Sequence, residues 1–241
     1  MKFGVNTYRK RSEPRCDRRV RESVTTPPIS QTARIIRPLT RPDLDVSAAI
    51  HLRAFSHAAI SQLGHAVARR YHQSLCEHAE VTAFGLFVEG RLAGYCFVGT
   101  ARDVEGAFLR DNLLFVSSRL LSKPALLCQP FIRERIGASL RFLRPAASRS
   151  TKPSAEAIDA DLTVRLGPRE GSSLTILYVA VDPRYQRRGF GRALLEHAED
   201  LARMRGFRQL DLSVYLDNTR AIGFYEDAGW QRELRHGAWQ G

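Results

Sequence analysis

The sequence predicts an α/β layer with mixed strands. Three observations carry that expectation. Residues 174–181 form a nearly continuous apolar run closed by Asp182-Pro183. Residues 191–205 follow with Leu194, Leu195, Ala198 and Leu201 on one helical face. Residues 209–215 then alternate Leu210, Leu212 and Val214 with Asp211, Ser213 and Tyr215, the period of a strand. A buried strand, an amphipathic helix and a further strand make one α/β unit.

Residues 1–30 carry Lys2, Arg9, Lys10, Arg11, Arg15, Arg18, Arg19 and Arg21 with little to bury, so a disordered basic tail is expected there. Order is expected from about residue 31, with a short strand at 34–37. Pro42 and the acids of 40–45 supply helix-start chemistry. Helical patterning runs to about Phe55 and resumes over 59–79. Residues 81–88 and 92–98 are strands joined by a turn at Glu89-Gly90. Leu109, Leu113, Val116 and Leu120 recur at helical spacing, with mostly basic residues between them, which predicts a helical insertion over about 107–160. The Pro/Ser/Ala-rich stretch 145–160 reads as its linker. Further on, Gly206 suits a helix C-cap, Asn218 an N-cap for a helix over 219–228, and Gly229 its end.

Composition narrows the function classes. The net charge of +12 favours anionic partners such as phosphorylated cofactors, nucleic acid or acidic membrane surfaces. Cys16, Cys76, Cys96 and Cys128 are scattered and form no metal-like or C-x-x-C pattern, which points to a reducing, cytoplasmic setting. No apolar run approaches the ~20 residues of a membrane helix. The histidines at 51, 57, 65, 72 and 78 lack metal-like spacing, and we expect them to be ordinary surface or partly buried residues. No metal site is expected.

The segment Gln186-Arg187-Arg188-Gly189-Phe190-Gly191-Arg192 joins the apolar strand to the helix. Glycines there let backbone approach a ligand, and the free N–H groups at the helix start face an anion. The arginines add charge. No Gly-Lys-Ser/Thr follows, so this is not a P-loop, and the third glycine of a dinucleotide fingerprint is absent.

The run Val179-Ala180-Val181-Asp182-Pro183, then Tyr185 to Leu195, resembles the central motif of the GNAT acetyltransferase family. The likeness continues through Leu210-Asp211-Leu212-Ser213-Val214 and Asn218 to Glu226, to Gly229-Trp230, and more loosely over 33–99. It implies a mixed, mostly antiparallel sheet with helices on both faces, split between the family's fourth strand, here 174–181, and its fifth, here 209–215. It implies acetyl-CoA as acyl donor. Val179, Ala180 and Val181 would pair with the pantetheine arm, and Gln186, Arg187, Arg188, Gly189, Phe190, Gly191 and Arg192 would cradle the pyrophosphate. Asn218 matches a cofactor-contacting asparagine. Tyr225 occupies the position of the acid for the departing thiolate.

The chain departs from the family in three places. No carboxylate stands at 175–178, where many members carry a base, and Ser213 replaces the glutamate of the ribosomal-protein acetyltransferases. Asp211 reads as a solvated edge residue, and a water relay past Tyr178 or Ser213 is the leading expectation for proton removal. The insertion lies where the family has a short link. Residues 235–241 make a poor final strand, so the 209–215 edge is expected to be covered by a second protomer or by a rerouted terminal segment. The resemblance points to a small-molecule amine as acceptor, with a protein N-acetyltransferase and a non-catalytic CoA-binding module as alternatives. No specific nucleic-acid partner is expected. The basic tail or the insertion is the expected place for contact with an anionic surface.

Overall fold

The computed structural model describes residues 5–11, 34–100, 104–121 and 173–233. The elements in chain order are β1 (Val5–Arg11), β2 (Arg34–Pro38), α1 (Leu44–Ala54), α2 (Ala59–Leu63), α3 (His65–Glu77), β3 (Val81–Val88), β4 (Arg91–Gly99), α4 (Val104–Asp111), α5 (Leu113–Leu121), β5 (Leu174–Val181), α6 (Phe190–Met204), β6 (Gln209–Tyr215), α7 (Thr219–Asp227) and β7 (Gln231–Glu233). They build one seven-stranded sheet in the order β2-β3-β4-β5-β6-β1-β7. Every neighbouring pair is antiparallel except β5 and β6. Strands β3 and β4 are buried almost throughout, because helices cover both faces.

Each face has its own core. On one side α6, α7 and β1 enclose Phe84, Leu86, Ile176, Leu194, Leu195, Leu210, Leu212 and Tyr8. On the other, α1, α2, α3 and α4 enclose Ile50, Val67, Tyr71, Phe87, Tyr95, Phe97 and Phe108. Residues 40–43 start the first helical segment as expected: Asp43 accepts from the Thr40 backbone and hydroxyl at 2.8 and 2.6 Å, and from Arg37 at 2.8 Å.

Strand β1 corrects the reading of residues 1–30 as a disordered tail. Val5–Arg11 pairs antiparallel with β6 along its whole length and with β7 on its other edge. One buried side chain set among charges that find distant partners explains the misreading. Tyr8 is fully buried beside Tyr225, and its hydroxyl donates to Glu226 at 3.1 Å. The flanking charges that suggest a solvated arm are paired: Arg9 with Asp211 at 2.8 Å, and Lys10 with Glu199 at 2.8 Å and with the Ala228 carbonyl at 2.9 Å. The β6 edge is thus covered from within the chain, by the N-terminal rather than the C-terminal segment. Residues 12–30 and 235–241 lie outside the described residues. Asp211 is buried and ion-paired, not a solvated edge residue.

The insertion begins earlier than residue 107. Helix α4 starts at Val104, and Phe108 is buried in the second core, so this part is joined to the core and not a detached flap. Arg70 of α3 stacks over Phe115 of α5. The rest of the insertion, 122–160, lies outside the described residues. No helix among the described residues is long and apolar enough to cross a membrane.

Candidate active site

The parallel pairing of β5 with β6 involves only Leu174–Ile176 and Leu210–Leu212. On its other side β5 stays paired with β4 up to Val181, with the register slipping between Phe97 and Val98 so that Leu177 is the extra residue. The bulge bends β5 just where it parts from β6. Beyond Ile176 the β6-facing edge of β5 therefore has no strand partner among the described residues. Val179, Ala180 and Val181 lie along that open edge, which suits a ligand that can bond as an extra strand.

The turn after β5 is rigidly held. Asp182 is fully buried and accepts from Arg53 at 2.7 Å, from the Arg184 guanidinium at 2.9 Å and from the Arg184 backbone at 3.0 Å. The Arg184 hydrogen bond, with Arg53 adding to it, lowers its carboxyl to about 2. Gln186 donates to the Val181 carbonyl at 3.1 Å and accepts from Arg220 at 2.9 Å, bracing the turn against α7.

From there the backbone turns through left-handed positions at Arg187 (φ 60°) and Gly189 (φ 78°) before α6 starts at Phe190. Gly189 takes that conformation without a Cβ penalty. Gly191 lies close to α7: a Cβ there would stand 3.2 Å from the Phe224 ring, which would have to shift slightly. Phe190 is buried, anchoring the first turn in the core, while Arg187 and Arg188 are exposed. Arg192 donates to the Asp227 carbonyl at the end of α7. Turned-in backbone N–H groups at a helix N-terminus, ringed by arginines, fit a phosphate.

The catalytic candidates fall on two faces. Tyr225 is buried in the α6-side core against Tyr8, Phe224 and Trp230. Burial raises its pKa, so it keeps its proton, and its hydroxyl has no hydrogen bond among the described residues. Tyr178 and Ser213 lie on the opposite face, on either side of the split. Ser213 is exposed and opposite Thr7. Asn218 caps α7 through Oδ1, which accepts from the Ala221 N–H at 3.1 Å.

Tyr178 leads to a carboxylate that sequence reasoning missed. Its hydroxyl donates to Glu105 Oε1 at 2.6 Å and accepts from the Tyr71 hydroxyl at 3.3 Å. Burial, then the Glu105 charge and Tyr71, push the Tyr178 pKa well above its ordinary value. Glu105 comes from α4, in an insertion whose only sequence signal was leucine spacing.

The expectation for the histidines also needs correction. His51 and His72 are fully buried. Ser47 donates to the Leu44 carbonyl at 3.0 Å and sits 2.9 Å from His72 Nδ1; His72 Nε2 is 3.1 Å from His51 Nδ1, which is 2.9 Å from the Tyr95 hydroxyl. These contacts make one continuous buried hydrogen-bond chain, Ser47–His72–His51–Tyr95, whose proton direction is set by the two imidazole tautomers. His51 Nε2, at the edge of that chain, has no partner among the described residues. Burial lowers His51 to about 4 and His72 well below its ordinary value. No group of His, Cys, Asp or Glu among the described residues is placed to hold a metal ion.

Residues 160–230 match the acetyltransferase (GNAT) family. The ribosomal protein bS18 alanine N-acetyltransferase of Escherichia coli is 50% identical over 56 residues, which cover 23% of this chain and 38% of that enzyme. The mycothiol acetyltransferase of Beutenbergia cavernae is 44% identical over 55 residues, covering 23% of this chain and 18% of that enzyme. An aminoglycoside N-acetyltransferase, AAC(6')-Iy, solved in complex with CoA, overlaps 88% of this chain and 97% of its own with a TM-score of 0.52 at 9% identity, a likeness of fold alone. The family match spans β5, the arginine-ringed turn, α6, β6 and α7, the segment that forms the split and the phosphate-fitting turn. Over that segment the chain is similar to the GNAT acetyltransferase family.

Proposed function

We propose that the chain is an acetyl-CoA-dependent N-acetyltransferase that passes an acetyl group directly to the primary amine of a small molecule. The observation that supports this most is the open β5 edge running into the left-handed turn at Arg187 and Gly189 and the N-terminus of α6. Val179, Ala180 and Val181 would pair with the pantetheine arm. Gln186 to Arg192 would take the pyrophosphate, with Asn218 bordering the cofactor from α7. The acceptor amine would attack the thioester from the face that carries Tyr178 and Ser213. Tyr225, buried and proton-bearing, would protonate the thiolate as it leaves.

Gly189→Glu tests the donor site. Its Cβ would meet nothing within 4 Å, so the fold tolerates the side chain apart from the left-handed φ, while the carboxylate repels the pyrophosphate. Calorimetry is expected to show CoA binding in the native chain and a loss of at least about tenfold, roughly 1.4 kcal/mol, in the variant. Equal binding would sink the assignment.

Tyr225→Phe tests the acid. The expected result is a kcat lower by about 10²-fold with CoA affinity kept, the signature of an interaction made only in the transition state. An unchanged kcat would make Tyr225 a packing residue.

A second reading, transfer to a protein N-terminus, is favoured by the identity with the bS18 enzyme. The family match lies at 160–230, which would hold the donor, whereas α1 to α5, which would border the acceptor, lie outside it. Ser213 in place of a glutamate argues against it. A panel of small cationic amines beside an alanine-start peptide separates the two. Turnover confined to the peptide would overturn the small-amine reading.

A further inference from the structure

We propose that Arg53, near the end of α1, is a positioning residue for the acceptor amine, and that it acts by tying the last turn of α1 to Asp182. It rests on the acetyl-transfer reading and deepens it. Arg53 would set where the amine stands without touching the amine or the acyl donor.

The last turn of α1 borders the bend in β5. The rings of His51 and Phe55 lie 4.9 Å apart between centroids, and they meet Tyr178 at 5.3 and 5.7 Å. Tyr178 immediately follows the Leu177 bulge, where β5 parts from β6. His51 is fully buried, whereas Phe55 and Tyr178 keep part of their surface exposed. Phe55 is therefore the ring that α1 offers on the face from which the amine would attack.

Phe55 is also where the helix stops. Its backbone has left the helical region (φ −124°, ψ 48°), while its N–H still donates to the His51 carbonyl at 2.8 Å. The ring thus goes where the last turn goes. Residues two apart on a helix point about 200° from each other, so Arg53 leaves this turn on the side away from His51. There its guanidinium donates to Asp182 Oδ2 at 2.7 Å.

Asp182 divides its bonds between two arginines with different duties. Arg184, on the turn that would hold the donor's pyrophosphate, gives it three: from the backbone at 3.0 Å and from the guanidinium at 3.2 and 2.9 Å. Arg53 gives it one. Without Arg53 the buried carboxylate keeps a cationic partner and three donors, so the turn after β5 stays built. Arg53 has no other hydrogen bond or ion pair among the described residues. Its loss would release the end of α1 and little else. A shift of about 1 Å in a reacting group can cost on the order of 10²-fold in rate, so a loosened Phe55 wall is enough to matter.

The tie is a single N–H on a single oxygen. A lysine ammonium can supply that contact as a point charge, and a glutamine amide cannot supply the charge.

The test compares full-length variants with the amine that the native chain turns over best. Arg53→Gln is expected to bind CoA within about twofold of the native chain by calorimetry, while its kcat/KM for the amine falls by about tenfold or more, mainly through KM. Arg53→Lys should restore most of that loss. Arg184→Gln should do the reverse, weakening CoA several-fold and leaving the amine KM at saturating acetyl-CoA unchanged. Native amine kinetics in Arg53→Gln would overturn the proposal. So would an Arg53→Gln chain that fails to fold, or equal effects of the two glutamine variants on both ligands, since Asp182 would then be one undivided structural anchor. A native chain that binds CoA and acetylates no amine would overturn the transfer reading and this inference together.

Discussion

Removing residues 1–11 is expected to destroy the cooperative fold of the C-terminal half or to drive the chain into self-association. Strand β1 lies between β6 and β7, so its loss leaves both without a partner on that side. The β6 edge would then present a row of unpaired N–H and C=O groups, the kind of edge that recruits another chain. The energetics point the same way. Tyr8 is fully buried in the core with Leu212 and Tyr225, and truncating a buried aromatic costs about 3–5 kcal/mol. That is a large share of a total stability of about 5–15 kcal/mol. The Lys10 pairing with Glu199 and the Ala228 carbonyl adds a tie to α6 and to the end of α7. Tyr8→Ala is the milder version and should lower the thermal midpoint without altering the size of the particle. For the deletion, sedimentation should show dimers or larger species, or circular dichroism should show lost structure. A monomeric deletion variant that retains slow hydrogen exchange at Leu210, Leu212 and Val214 would show β1 to be dispensable.

That strand also marks where the sequence ceased to be legible. The fold around β5, α6 and β6 was readable because local chemistry and tertiary role agree there. Leu194, Leu195 and Ala198 have helical spacing and face the core, and Gly189 has the φ that only a special turn needs. In β1 the two disagree. Val5–Arg11 has only Val5 and Tyr8 as apolar positions and ends in three consecutive basic residues, and its partners stand about two hundred positions away. Arg9 and Lys10 look solvated until Asp211 and Glu199 are brought beside them. Yet the need for a cover was legible, since 209–215 reads as an inner strand with no successor. What could not be read was which segment supplies it.

The two faces of the sheet differ in the same way. Gln186 to Arg192 are contiguous, so the phosphate-fitting turn is written in one stretch. The opposite face is assembled from α1, α3, α4 and β5. Glu105, Tyr71 and Tyr178 meet only through packing, and neither their spacing nor their types announce it. His51 and His72 lie 21 positions apart on α1 and α3. Their burial follows from the stacking of those helices on β4, where Tyr95 and Phe97 close around them.

This buried pair predicts a steep loss of stability on mild acidification. In the unfolded chain each histidine takes up a proton near its ordinary value of about 6.5. In the folded chain burial lowers His51 to about 4 and His72 well below the ordinary value. Between those limits the unfolded state binds more protons, so stability falls as pH falls. Above pH 6.5 neither residue contributes a slope. Below it each contributes about 1.4 kcal/mol per pH unit, until the folded form protonates as well. From pH 6.5 to 4.5 His51 alone accounts for a loss on the order of 3 kcal/mol, and His72 adds to it in the same direction. Asp182 does not confuse the window. Its folded value of about 2 lies below its ordinary 3.8, so its contribution is lost only as pH falls through that lower range. Urea unfolding between pH 7.5 and 4.5 should show a plateau and then a decline. His72→Gln should start lower at pH 7.5 and decline with about half the slope. A native midpoint that stays flat to pH 4.5 would mean that the pair is protonated in the folded protein, with the Ser47–His72–His51–Tyr95 chain rearranged to hold the charge.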